Sequence, residues 1–171
     1  PFRAVVKIFM TYPSGNTFVC SGALIDSRHV LTAGHCAHSQ AEGGWADEMT
    51  VFPAYDAAPD PTYGGSSMVY ITSWTGWTQN ESWEHDMALV ELDRPVGALT
   101  GWLGYGYNSD NTFYTNNTFH NPGYPANAPY NGQYMYYWYG DYDYVHSSNN
   151  ILYHYNQAYG GQSGSNAYYK D

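Results

Sequence analysis

Three short segments of this 171-residue sequence carry side chains that together could open an acyl bond. Gly160-Gly161-Gln162-Ser163-Gly164-Ser165 sets a serine hydroxyl among glycines. Thr32-Ala33-Gly34-His35-Cys36 supplies an imidazole, and His85-Asp86-Met87-Ala88-Leu89 supplies a carboxylate at the head of an apolar run. A serine hydroxyl is a weak nucleophile until a neighbouring imidazole takes its proton, and the imidazole needs a carboxylate to fix its tautomer. Glycines beside Ser163 allow a tight, partly left-handed turn, in which the N–H groups of Gly161 and Ser163 could face a developing oxyanion.

Each segment also has a plainer explanation. Gly-x-Ser-Gly alone is a permissive turn with an incidental serine, and a lone histidine on an apolar segment is usually a core residue with satisfied nitrogens. Asp86 could be a strand-end carboxylate facing water, but its place against an apolar strand makes an unpartnered charge expensive. An imidazole N–H is the partner it needs. Glu84 is a weaker rival for that role, and Glu84 and His85 are expected at the surface. The three segments together, in the order His, Asp, Ser, outweigh these separate explanations.

The elements that must carry these residues read as short strands. Ala4 to Met10, Phe18 to Ile25 and Val30 to Ala33 are apolar or β-branched, separated by Pro13-Ser14-Gly15-Asn16 and Asp26-Ser27-Arg28-His29 turns. Gly34 to Ala37 suits one helical turn. Val51-Phe52, Ser67 to Thr72 and Met87 to Leu92 continue the series, the last apolar enough to be buried on both sides. Leu92-Asp93-Arg94-Pro95-Val96-Gly97 breaks the pattern, and a division into residues 1–98 and 99–171 follows. The second part holds 16 of the 20 tyrosines, alternating with Asn, Gly, Asp and Pro, as short antiparallel strands with tight turns would require.

Composition excludes several classes of function. Charged residues make up 12% of the chain and the formal net charge is −10, so neither nucleic acid nor a polybasic membrane contact is expected. No apolar run reaches the ~18 residues that span a bilayer. No basic-then-apolar leader opens the sequence, which reads as a mature or processed form. Among the seven histidines there is no His-Glu-x-x-His pattern, and no metal site or cofactor is expected. Asp56 to Asp60 and Asp47-Glu48 lack EF-hand spacing and read as solvated carboxylates. The tyrosines of 134–144 could stack on sugars or peptides but more often pack sheet surfaces. Asn80-Glu81-Ser82 and Asn116-Asn117-Thr118 match glycosylation sequons. Cys20 and Cys36 would be free thiols in a reducing compartment and a disulfide in a secreted protein.

These residues resemble the glutamyl endopeptidase branch of the chymotrypsin-like serine proteases, especially the secreted bacillar enzymes. Pro1-Phe2-Arg3-Ala4-Val5-Val6 is similar to that family's first strand, and Cys20 to Cys36 to its disulfide-closed hairpin ending in the histidine motif. Arg94-Pro95-Val96-Gly97 through Gly101-Trp102-Leu103-Gly104-Tyr105 resembles the crossing between barrels, Pro122-Gly123-Tyr124-Pro125 a Gly-Tyr-Pro turn, and Tyr159 to Ser165 the nucleophile loop. The resemblance implies an all-β fold of two six-stranded antiparallel Greek-key barrels, the second incomplete in this chain. It implies His35, Asp86 and Ser163 as triad, Gly161 and Ser163 amides as oxyanion donors, a Cys20–Cys36 disulfide, and Gln157 and Ala158 beside the substrate pocket. It further implies secretion, a protein or peptide substrate, and cleavage after acidic residues.

Two departures stand out. Gln162 takes the place of the aspartate that pairs with a freed N-terminus in trypsin-like enzymes, and Asn166 replaces a common proline. Only eight residues follow Ser163. A separate C-terminal fragment is therefore expected to complete the second barrel, and an end at Asp171 fits cleavage after an acidic residue. The competing readings are a catalytically silent relative and a tyrosine-rich binding module.

Overall fold

The computed structural model describes all residues except Ser147, Asn150 and Asp171. In the first half the alternating apolar runs become β1 (Val5–Thr11), β2 (Thr17–Leu24), β3 (His29–Thr32), the two-residue strands β4 (His38–Ser39) and β5 (Gly44–Trp45), β6 (Glu48–Pro53), β7 (Ser66–Ser73) and β8 (Ala88–Leu92). Six of these close into an antiparallel barrel in the order β1-β2-β3-β8-β7-β6. Every second residue points inward, so Val6, Ile8, Met10, Leu24, Val30, Val51, Val90 and Leu92 fill a core from which water is excluded.

β8 corrects one expectation. A strand of a small barrel has one inward face, so Ala88, Val90 and Leu92 are buried while Leu89 and Glu91 are only half-buried. Met87, expected inside the strand, precedes it and is exposed. The other expected strand ends are displaced by one to three residues, because register with neighbours sets where pairing stops.

The second half is only partly sheet. β9 (Phe119–Gly123) pairs with β10 (Tyr136–Gly140) and β13 (Tyr168–Tyr169), and β11 (Tyr144–His146) pairs with β12 (Ile151–Tyr153). The short helices are α1 (Thr75–Asn80), α2 (Gly97–Thr100) and α3 (Asn111–Asn116). Phe113, Tyr114, Phe119, Tyr142 and Tyr169 pack ring against ring beneath the three-stranded sheet, at centroid spacings of 5.1–6.4 Å. Of these rings only Phe119 is buried, so the contacts are ring on ring without the water-free core of the barrel. No helix among the described residues is long and apolar enough to cross a membrane.

The two halves meet on the outer face of β1. Val5 and Lys7 point away from the barrel interior, yet both are buried. The Lys7 Nζ donates to the Gly132 carbonyl at 2.5 Å and lies 4.4 Å from the ring centres of both Phe9 and Tyr55. Burial pulls its ammonium below the usual lysine range.

The thiols of Cys20 and Cys36 are joined, tying β2 to the turn that follows β3. Closing a loop of this length removes unfolded-state entropy worth about 3 kcal/mol. The double variant Cys20→Ser/Cys36→Ser is therefore expected to lose about that much stability. Urea denaturation of variant and parent, each with and without reductant, measures it; only the parent should respond to reduction.

Candidate active site

His35 is held by the turn Gly34–Cys36, which follows β3 directly. Both oxygens of Asp86 engage it: its backbone N–H donates to Oδ1 at 2.7 Å, and Nδ1 lies 2.8 Å from Oδ2. A carboxylate held this way fixes the ring and assigns the proton to Nδ1, leaving Nε2 as the acceptor. The Asp86 side chain is 14% exposed and that of His35 36%, so the carboxylate is covered while the imidazole reaches the surface. Trp77 and Trp83 set their rings 6.1 and 6.5 Å from the imidazole. Trp77 is buried and donates its indole N–H to the His38 carbonyl at 2.9 Å. Gly34 has no room for a side chain, since a Cβ would sit 2.7 Å from the Trp77 ring.

A further support comes from the end of β1. The Tyr12 hydroxyl donates to the His35 carbonyl at 2.9 Å. Burial first, and the Glu42 carboxylate second, push this phenol well above its ordinary range, so it remains a neutral donor.

Ser163 lies on a loop laid across β2 and β3. The Ser21 N–H donates to the Ser163 carbonyl at 2.7 Å. The Ser21 hydroxyl donates to the Gly161 carbonyl at 2.9 Å and accepts the Tyr124 N–H at 2.8 Å. Gly164 has φ of +76°, and a Cβ there would fall 2.1 Å from the Thr32 hydroxyl and 2.8 Å from the Ala33 nitrogen. The serine loop therefore rests on the two residues that lead into Gly34 and His35. Gly161 has φ of +90°, and among the described residues neither its N–H nor that of Ser163 is spent in a hydrogen bond.

Gln162 does not face outward. It is buried, its Nε2 donates to Asn121 Oδ1 at 2.9 Å, and its Oε1 accepts the Tyr159 N–H at 3.4 Å. Asn121 also accepts from the Ser165 hydroxyl at 3.2 Å and donates to the Asn166 carbonyl at 3.1 Å. Neither Ser21 nor Asn121 was marked by the sequence, because both act through contacts more than 40 residues away.

Beside Ser163 lies a 520 Å³ cavity whose lining includes Asn121, Tyr142, Leu152, His154, Ala158 and Gln162. Gln157 lies outside this lining; it is exposed, and its Oε1 accepts from the Tyr159 hydroxyl at 3.1 Å. Glu84 is exposed too, its carboxylate held low by its own backbone N–H and by the Ser82 hydroxyl, away from His35. His85 corrects the surface expectation: it is half-buried, its ring packed on Gly76.

Among the described residues, one trio of metal-ligating types lies within 4.8 Å: Cys20, His35 and Cys36. The two sulfurs are joined to each other, which leaves no thiolate there to hold an ion. Asp56 instead accepts the Ala58 N–H as a turn cap. Both sequon asparagines, Asn80 and Asn116, are exposed at helix ends.

A closed antiparallel barrel presenting a His–Asp pair, with a glycine-bounded serine loop laid over it, defines a chymotrypsin-like serine protease fold. A family model for trypsin matches residues 2–163, and the chain belongs to that family. It is 32% identical over 167 residues to the glutamyl endopeptidase of Bacillus licheniformis, a match covering 96% of this chain and 48% of that protein. A Bacillus subtilis protein named extracellular metalloprotease is 36% identical over 106 residues, covering 61% of this chain and 33% of that protein. The chain thus spans a third to about half the length of the curated relatives it matches. Among solved structures, a thermostable serine protease from an extremophilic microorganism superposes with a TM-score of 0.85 at 25% identity, covering 99% of this chain and 80% of that one. A Glu endopeptidase superposes at 0.83 with 20% identity, covering 99% and 75%. The separate C-terminal fragment expected from the sequence gains no support, and Asp171 lies outside the described residues.

Removing the Ser21 hydroxyl strands a buried N–H on Tyr124 and a carbonyl on Gly161. Ser21→Ala is expected to cost about 1–3 kcal/mol, whereas Ser14→Ala, at an exposed turn, should cost under about 0.5 kcal/mol. Denaturation midpoints for the two variants give the comparison.

Proposed function

We propose that this chain carries the catalytic groups of an extracellular serine endopeptidase, residues 1–98 forming the unit that bears His35 and Asp86 and residues 99–171 the unit that bears Ser163. The observation that carries the reading is the two-point hold of Asp86 on His35, at the end of the strand on which the Ser163 loop rests. His35 Nε2 takes the proton from Ser163 Oγ as that oxygen attacks the scissile carbonyl carbon. The carbonyl oxygen becomes an oxyanion, met by the Gly161 and Ser163 N–H groups. The imidazolium, stabilised by Asp86, returns the proton to the leaving amine as the C–N bond breaks and an acyl ester forms on Ser163. Water then enters, His35 takes its proton, and hydrolysis of the ester frees the acid and the serine.

The family relatives and the Cys20–Cys36 disulfide support an extracellular setting. For the residue before the scissile bond, the reading is an acidic side chain. The glutamyl endopeptidase relative supports it, as does a cavity beside Ser163 with no carboxylate in its lining. A lysine or arginine would find no counter-ion there, and His154 is the base that faces it. Ala158 forms part of its wall, and Gln157, one residue before it, has no part in that wall.

An organophosphorus fluoride should add one adduct to the protein, on Ser163, and Ser163→Ala should take none, as read by intact-mass and peptide mass spectrometry. Asp86→Asn should keep the fold and lower kcat about 10⁴-fold, through loss of the correct tautomer. Peptides with Glu before the scissile bond should be cleaved with higher kcat/KM than their Lys counterparts. A folded protein that takes no adduct would restore the silent-relative reading.

A further inference from the structure

A second cleft, of 660 Å³, borders the Ser163 loop, and of its lining only Gly161 enters the chemistry above. Its floor is the outer face of β6, β1 and β2. Strand register arranges that face in rows: Thr50, Phe9 and Val19 in one, Glu48, Thr11 and Thr17 in the next. Its opposite wall is made by Ala126, Asn127, Gly160 and Gly161 of the second half. Gly161 therefore belongs both to this cleft and to the loop that carries Ser163.

Two observations say which part of a substrate would lie here. The Cys20–Cys36 disulfide joins the strand that lines the cleft, next to Val19, to the turn that holds His35. His35 gives its proton to the leaving amine, so the leaving segment departs on the side of that turn. The Ser163 cavity, which shares only Gly160 with this cleft, is left for the side chain before the scissile bond.

The cleft's lining has a single charge. Glu48 is exposed at its rim, and the other lining residues are apolar, hydroxylic or amide. The nearest cation on the same face is Lys7, one row beyond Phe9, but it is buried and donates to the Gly132 carbonyl. The carboxylate of Glu42, at the adjoining turn, is held by Ser14 and Asn16. An ammonium or guanidinium whose stem lies over Phe9 and Val19 would reach Glu48 with its head in water.

We propose that Glu48 is a specificity-determining residue, giving preference to peptides with lysine or arginine two or three residues after the scissile bond. The proposal rests on the protease reading for the placement of the leaving segment. An exposed pair is worth up to ~1 kcal/mol, so each substitution at those positions should move selectivity by roughly threefold.

The test uses quenched fluorescent peptides identical up to the scissile bond and bearing Lys-Lys, Ala-Ala or Glu-Glu at the second and third positions after it. Wild-type kcat/KM should fall in that order, with roughly tenfold between the extremes, and the spread should shrink in 0.5 M salt. Glu48→Gln should flatten the series and Glu48→Lys invert it. Asp60→Asn, which removes the same charge outside the cleft, should leave the series as it is. The affinities of the same peptides for Ser163→Ala, measured by fluorescence anisotropy, should follow the same order without any chemistry. If wild type cleaves none of the three, the protease reading falls and the affinities still decide the role of Glu48. Equal affinities, no measurable binding of any peptide, or a series that Glu48→Lys does not invert would overturn the proposal.

Discussion

The site depends on one buried hydroxyl. Ser21 sits in β2, a strand of the barrel, but its bonds reach the other half of the chain: Tyr124 N–H, the Gly161 carbonyl and, through its own N–H, the Ser163 carbonyl. The serine loop belongs to a half that is only partly sheet and cannot fix its own position to fractions of an ångström. The barrel can, because its strands are closed into a ring with a filled aliphatic core. Ser21 passes that rigidity on, and Thr32 reinforces it by donating its hydroxyl to the Ser21 carbonyl at 2.8 Å. The imidazole and the serine loop are thus referred to the same pair of strands, which is what alignment of two groups from distant sequence requires.

The same dependence explains the burial of Lys7. A lysine on the outer face of a barrel strand would ordinarily extend into water. Here the second half covers that face, and the ammonium is left with one carbonyl and two aromatic rings. A ring face and a carbonyl together offset part of the desolvation cost, and the downward shift of its pKa shows that they do not offset all of it. The contact spans 125 residues and, with Ser21, fastens the second half to the first.

What the sequence disclosed follows from the range of the interactions. The His35 and Asp86 segments were legible because their flanks are local: small residues before the histidine, an apolar strand after the aspartate. The barrel strands were legible through alternation, with ends blurred because pairing register is not a local property. Ser21 and Asn121 were not legible, since nothing around a serine in a strand or an asparagine before a proline announces a partner more than 40 residues distant. His85 misled for the same reason: its neighbours are polar, and only the fold brings Gly76 beneath its ring. Gln157 and Ala158 are adjacent in sequence and both exposed, yet only Ala158 lines the cavity.

Gln162 shows how a local substitution alters the physics of the loop. A carboxylate at this buried position would need a cation to offset its desolvation. The amide needs only a donor and an acceptor, and Tyr159 and Asn121 provide them. Asn121 in turn spends its own amide on Ser165 and Asn166, so the serine loop is held by neutral hydrogen bonds on both sides of Ser163. Neutral bonds do not titrate and are little affected by salt. The geometry of this loop is consequently uncoupled from any charged terminus, and the titrating elements that remain near it are those suited to moving a proton.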